Sequence, residues 1–333
     1  YRYLSSEFID IIDEILDGPA EAFTGTTAGE YVEWVGEVIN ADGEHDDHAL
    51  DDGVQRIVER CERWGDKRII TLVGPAGSGK TRTAHRAARA LAGGDTSRVS
   101  VVQFHAAFTY EEFVGGFSPA PGGGFQPSEG VLLQINDMAK ADPENTYVLL
   151  IDELSRADVA NVLGELLTYV EYRDRWFSVP SLNRTDRIAS NLFILATMNP
   201  ADRSVVDMDD ALVRRLIQIE IPKSSAALRE ILTANGCEEA LIGAVAAWFE
   251  GLPEDTPFAH GLFVGVRNEA DLYELWHEQL KYFLRRGGLA TYPNPEAIED
   301  GYIWRYLKVA GKQSADEDGE DEPPTAAPAA ASS

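Results

Sequence analysis

Residues 74–81 read GPAGSGKT, set between the apolar run RIITLV that ends at Val73 and the stretch TRTAHRAARALA that starts at Thr81. A glycine-rich loop joining a strand to a helix is the spelling of a phosphate cradle. Gly74, Gly77 and Gly79 let the backbone curl so that successive N–H groups face phosphate oxygens, and the N-terminus of the following helix adds its positive end. Pro75, Ala76 and Ser78 complete the loop. Lys80 would reach the β and γ phosphates, and the Thr81 hydroxyl would hold Mg²⁺. The expected ligand is a nucleoside triphosphate, ATP or GTP.

A second run, YVLLIDE, supplies the other half of such a site. Val148 to Ile151 read as a buried strand that ends at Asp152 and Glu153, where a nucleotide-binding sheet presents carboxylates to the metal and the attacking water. Asp152 is the candidate for the Mg²⁺ shell, and Glu153 the candidate for polarising the water. Two acids after a buried strand fit hydrolysis better than helix capping.

The chain has 333 residues, of which 44% are hydrophobic, enough for one large or two modest domains with a proper core. No apolar run approaches the roughly 20 residues of a membrane span, and no secretory leader is seen, so a cytoplasmic protein away from membranes is expected. Cys61 and Cys237 match no metal-ligand spacing and read as reduced thiols. The first residue is Tyr1 rather than Met, which suggests an excised fragment.

The charge balance is lopsided, with 56 acidic against 29 basic residues and a net charge of −27; of the bases, 22 are Arg and 7 are Lys. Such a surface repels nucleic acid, so any action on DNA is expected to be indirect. An acid-rich, lysine-poor surface points to a salt-adapted, haloarchaeal source, where counterions screen the self-repulsion.

Four regions follow from pattern. Residues 1–64 read as interrupted helix, with FIDIIDEIL and YVEWVGEVI at helical spacing around an acidic loop that carries His45 and His48. Residues 65–222 alternate strand and helix: RIITLV, the phosphate-loop helix, VSVVQFH, VLLQINDMAKA, YVLLIDE, VANVLGELLTYV, NLFILATMN and LIQIEI. Buried strands alternating with helices specify a parallel sheet covered on both faces. Within this region YRDRWFSVPSLNRTDRIAS reads as a hairpin, with RWFSV and RIAS flanking a polar turn. Residues 223–312 read as a smaller helical domain, and 313–333 as an acidic, then Pro/Ala-rich disordered tail.

Several long motifs carry a resemblance to a known family. FHAAFTYEEFVGGFSP (104–119), DELSRADVANVLGELLTYVEYR (152–173), MNPADRS (198–204) and the helix end ALVRRL (211–216) follow in order. Together they resemble AAA+ ATPases, and more narrowly the McrB-type branch, related to dynein and MoxR proteins and serving as the motor of modification-dependent restriction systems. The resemblance covers about 67–221. It implies a P-loop core with a five-stranded parallel sheet and an α-helical lid, working as a ring, expected to be a hexamer, that drives a separate nuclease subunit. It makes Asn199 the sensor, Asp202 the second polar residue of the nucleotide-responsive motif, and Arg214 or Arg215 the arginine finger, a cation worth about 10³ to 10⁵ in rate. Arg267 matches a second sensor arginine, with an ordinary surface arginine as the alternative.

Two departures bear on activity. Ser155 stands where the family has Asn in DEINR, and Pro200 where it has Thr in MNTAD. Phe108, Tyr110, Phe113 and Phe117 have two readings, pore or partner contact and core packing. Two other functions fit the same motifs: a MoxR-type chaperone-like ATPase, and a nucleotide-gated scaffold with slow hydrolysis. The sequence leaves the choice of ATP or GTP open.

Overall fold

The computed structural model describes residues 52–120, 123–200, 210–254 and 256–286. They fall into two compact units: the described residues up to Ser224 with Pro257–Leu262, and Ser225–Thr256 with the described residues from Phe263 on. The helical readings for FIDIIDEIL and YVEWVGEVI, the histidine-bearing loop and the tail lie outside the described residues.

The first unit opens with helix α1 (Asp52–Trp64), followed by strand β1 (Ile69–Val73), helix α2 (Lys80–Leu91) and strand β2 (Val99–Gln103). A short helix α3 (Tyr110–Phe113) leads into the antiparallel hairpin β3 (Gly115–Pro119) and β4 (Phe125–Glu129). Helix α4 (Val131–Ala141), strand β5 (Tyr147–Asp152) and the short helices α5 (Val159–Leu163) and α6 (Leu166–Glu171) come next. A second hairpin, β6 (Phe177–Val179) and β7 (Arg184–Asp186), precedes β8 (Leu192–Met198), α7 (Asp210–Val213) and β9 (Leu216–Glu220).

Strands β2, β5, β8, β1 and β9 lie in that order in one five-stranded sheet, all parallel. The order places β8 between β5 and β1, so the ends of three strands converge on one rim. Successive residues of β5 serve opposite faces: Leu149 and Ile151 join one apolar cluster, and Val148 and Leu150 join the other. The second cluster includes Val54, Ile57 and Cys61 of α1 and Ala84, Ala87 and Ala88 of α2. The first includes Leu132, Leu133 and Ile135 of α4 with Val162, Leu163 and Leu166. Burial on both faces is why YVLLI is an unbroken apolar run. Burial also pushes the Cys61 thiol up to about 12, so it is an inert packing group.

Two local readings are corrected. VANVLGELLTYV is two helices, because Gly164 adopts φ 49°, a value that favours glycine, and closes α5. In the second hairpin the return strand is Arg184–Asp186 rather than RIAS, because Asn183 turns the chain at φ 47°, and Ile188 and Ala189 then enter the core.

The second unit is helical where described. Helices α8 (Ser225–Ala234) and α9 (Glu239–Gly251) pack together, and α10 (Glu269–Leu275) continues through a π-turn at Trp276–Leu280 into α11 (Lys281–Arg286). Trp248, Phe249, Phe263 and Trp276 form its aromatic centre, in edge-on pairs.

Candidate nucleotide-binding and hydrolysis site

The GPAGSGKT loop leaves the carboxyl end of β1, between β8 and β9, and the carboxyl ends of the strands are where parallel α/β sheets bind ligands. Gly74 admits no side chain, since a Cβ there would lie 2.3 Å from the Ile221 carbonyl oxygen. Gly77 and Gly79 take φ 75° and 83°, the left-handed region that makes the loop curl. Lys80 is buried at the start of α2, and its Nζ donates to the Pro75 carbonyl at 2.9 Å, across the mouth of the loop. Ser78 is buried, and its Oγ has no hydrogen-bond partner among the described residues.

At the end of β5, Asp152 meets the loop. Thr81 Oγ1 donates to Asp152 Oδ1 at 3.0 Å, so the hydroxyl and carboxylate picked out from sequence stand together. A hydroxyl and a single carboxylate are hard oxygen donors of the number Mg²⁺ takes from proteins when phosphates and water supply the rest. The described residues hold no cluster of three or more acidic, His or Cys side chains to form an independent metal cage. The residues present therefore fit Mg²⁺ bound together with a triphosphate.

Thr197, which the sequence reading passed over, ties these groups to the next strand. From β8, its Oγ1 donates to Asp152 Oδ1 and accepts the Glu153 N–H at 3.0 Å. Glu153 adopts φ 57° and ψ 44°, a left-handed conformation that costs a non-glycine residue about 1 kcal/mol or more. The Thr197 hydroxyl thus holds a strained backbone in place. The Glu153 carboxylate pairs with the Arg156 guanidinium at 3.4 Å. His85, on α2, is held below its ordinary pKa by burial, with the Asp152 charge opposing, so a neutral imidazole backs the carboxylate. Ser155 is fully buried.

Asn199 follows β8 directly and is half-buried, while Pro200 is exposed; Asp202 lies outside the described residues. The two arginines after α7 separate by environment. Arg215 is 5% exposed, its Nε lies 3.5 Å from Glu171 Oε2, and its carbonyl accepts from Ile69 N at 3.0 Å. Arg214 is exposed. Arg267, in the second unit, is exposed immediately before the Asn268 cap of α10, and its N–H donates to Asp271 Oδ2 at 2.9 Å. Of the four aromatic residues with two readings, Phe113 is buried in the core against Phe104, and Phe108 stacks on Phe104 at 4.7 Å. Tyr110 donates to Glu165 at 2.9 Å, and Phe117 is 55% exposed. None of the described helices is long and apolar enough to cross a membrane.

Comparison with known proteins agrees with this geometry. Residues 69–216 match the model of the AAA domain, dynein-related subfamily. The chain is 40% identical over 163 residues to the type IV methyl-directed restriction enzyme EcoKMcrB subunit of Escherichia coli (strain K12), covering 46% of this chain and 35% of that protein. It is 24% identical over 185 residues to the type II restriction enzyme BsuMI component YdiS of Bacillus subtilis (strain 168), covering 43% and 54%. An ATP-dependent protease ATP-binding subunit-like protein of Rhodococcus erythropolis matches at 28% over 160 residues, covering 46% and 43%. The chain thus spans between about a third and a half of the length of these relatives. Residues 69–216 are thus similar to the AAA domain of the dynein-related subfamily, and with the phosphate loop and parallel sheet they mark a P-loop nucleoside triphosphatase.

Proposed function

We propose that this chain is the nucleotide-driven component of a DNA restriction system, assembling as a ring, with six subunits expected, whose hydrolysis drives a separate nuclease subunit. The observation that carries this reading is the 40% identity to the EcoKMcrB subunit across the nucleotide-binding core. In this reading the loop 74–81 holds the triphosphate, with Lys80 on the β and γ phosphates. Thr81 and Asp152 would hold Mg²⁺, which neutralises charge on the phosphates. Glu153 accepts the proton of the attacking water once its carboxylate leaves Arg156, and Asn199 orients that water at the γ phosphate. Arg214 is the arginine finger that reaches a neighbouring subunit, because Arg215 is committed to Glu171 in its own subunit. DNA is engaged through the partner, since a chain of net charge −27 repels it. The core accepts either ATP or GTP in this scheme.

The test is reconstitution with the nuclease-bearing product of an adjacent gene. DNA cleavage that needs both proteins and ATP or GTP, and that stops with Glu153→Gln while nucleotide binding persists, is the expected result. Lys80→Ala should abolish nucleotide binding. A mixture of the Arg214→Ala and Lys80→Ala forms should regain turnover that neither has alone, since one intact loop then meets one intact finger. Turnover stimulated by an unfolded protein, with no nuclease coupled to it, would instead favour the remodelling function, which the likeness to the Rhodococcus erythropolis protease subunit-like protein also supports.

A further inference from the structure

The segment PFAHGL, Pro257–Leu262, belongs to the first compact unit although the helices before and after it belong to the second. It lies along the phosphate loop. Phe258, fully buried, makes a parallel bridge with Ala76. Ala259 N donates to the Ala76 carbonyl at 2.8 Å, and Gly261 N donates to the Gly77 carbonyl at 2.7 Å. A Cβ on Gly261 would lie 2.6 Å from the Gly77 oxygen, so only glycine permits this approach. Because a trans peptide points its N–H opposite to its C=O, holding the Ala76 carbonyl from outside aims the Gly77 N–H to the inner side of the loop.

His260 sits at the centre of this segment with a defined tautomer. Its Nδ1 accepts from Ser224 N at 3.2 Å, which requires an unprotonated nitrogen there and leaves the ring proton on Nε2. Burial holds the imidazole below its ordinary pKa, in keeping with a neutral ring. Nε2 lies 4.0 Å from the point a Gly79 Cβ would occupy, beside the last glycine before Lys80. No described residue accepts a hydrogen bond from it.

We infer that His260 is a nucleotide ligand, its Nε2–H donating to the phosphate chain of the triphosphate held by residues 74–81, while the rest of the segment braces that loop from outside. The inference rests on the nucleotide-binding reading of the loop. It adds a contact contributed from more than 170 residues later in the chain. A neutral N–H donor beside the phosphate cradle serves any base equally, so the contact is independent of ATP or GTP preference.

Equilibrium binding of fluorescent ATP and GTP analogues to the full chain tests it. His260→Ala should weaken both by about 10-fold or more, the worth of one hydrogen bond to a charged group. His260→Gln, whose amide nitrogen falls near the place of Nε2, should recover most of that loss. In the unaltered protein, inorganic triphosphate, which carries no base, should protect His260 from carbethoxylation as read by mass spectrometry. Unchanged affinity in His260→Ala, a loss confined to one of the two nucleotides, equal losses in the Ala and Gln forms, or no protection by inorganic triphosphate would each overturn the assignment. Failure of the underlying reading looks different: the wild type and Lys80→Ala would then bind both nucleotides equally poorly.

Discussion

Thr197 is a single hydroxyl with two obligations. It donates to the Asp152 carboxylate and accepts the N–H of Glu153, whose backbone is left-handed. Replacement by valine keeps the shape and removes both bonds. A hydrogen bond to a charged group is worth about 1.5 to 3 kcal/mol, and here the loss falls on the orientation of the groups proposed to meet metal and water. Thr197→Val should lower steady-state turnover by about 10- to 100-fold while nucleotide affinity changes by less than about 3-fold, and Thr197→Ser should restore turnover. Phosphate release and fluorescence binding measure the two quantities. A parallel loss of affinity and turnover would show that the hydroxyl supports the loop rather than the hydrolytic carboxylates.

Sequence made some of this site legible and hid the rest for physical reasons. Asp152 and Glu153 stood out because an apolar run ended in two acids, and GPAGSGKT because its glycines follow from backbone geometry. Thr197 lies inside the apolar run LFILATM, where a lone Thr reads as an ordinary strand residue; its partners are 44 and 45 residues away. Arg214 and Arg215 are identical in type and adjacent, and only the burial of one against Glu171 separates them. His260 had no local signal at all, since its neighbours belong to Gly79 and Ser224 across the fold.

Among the elements, the strands were the easiest to read, because burial on both faces writes an unbroken apolar run. The break between α5 and α6 was not, since a glycine inside a helical pattern is tolerated more often than it stops the helix. What anchors α6 once the helix has been broken is Arg173, just past its end. The buried guanidinium donates to the carbonyls of Val170, Ala189, Leu192 and Gly65, joining the end of α6, the turn before β8 and the chain after α1. Burial draws its pKa down to about 10, still far above neutrality, so the charge is kept and solvated by carbonyl dipoles. Arg173→Met fills a similar volume but strands those carbonyls, and should cost about 3 to 5 kcal/mol, visible as a lowered thermal midpoint. A loss under about 1 kcal/mol would mean that the carbonyls find water on relaxing. At the same end of the helix, Glu171 holds Arg68 at 3.3 Å and Arg215 at 3.5 Å, so the motif that ends in EYR also fastens the residues that flank β1 and β9 at their amino ends.

At the scale of the whole molecule, ion pairs inside the first unit are local and directional, whereas the net charge acts everywhere. Arg184 gathers Glu129, Asp137 and Asp186, and Lys140 adds a second cation to Asp137 and Asp186 at 2.7 Å, pinning both hairpins to α4. Such clusters neutralise a few acids. They leave most of a net charge of −27 to be screened by solvent ions. At low ionic strength the Debye length is about 10 Å or more, so carboxylates repel across the surface; near molar salt it falls to roughly 3 Å and the repulsion collapses. Bringing several such chains together in the proposed ring multiplies the repulsion, so assembly should be lost before the monomer unfolds as salt is removed. Sedimentation velocity and thermal melting from low to molar potassium chloride measure both steps, with the melting midpoint expected to rise over the range. The rise should flatten once the screening length drops below the spacing between surface carboxylates, because further salt then has little left to screen. A midpoint and an assembly state that stay constant across the whole range would remove the salt-adapted reading and require that specific pairs such as those around Arg184 already balance the surface.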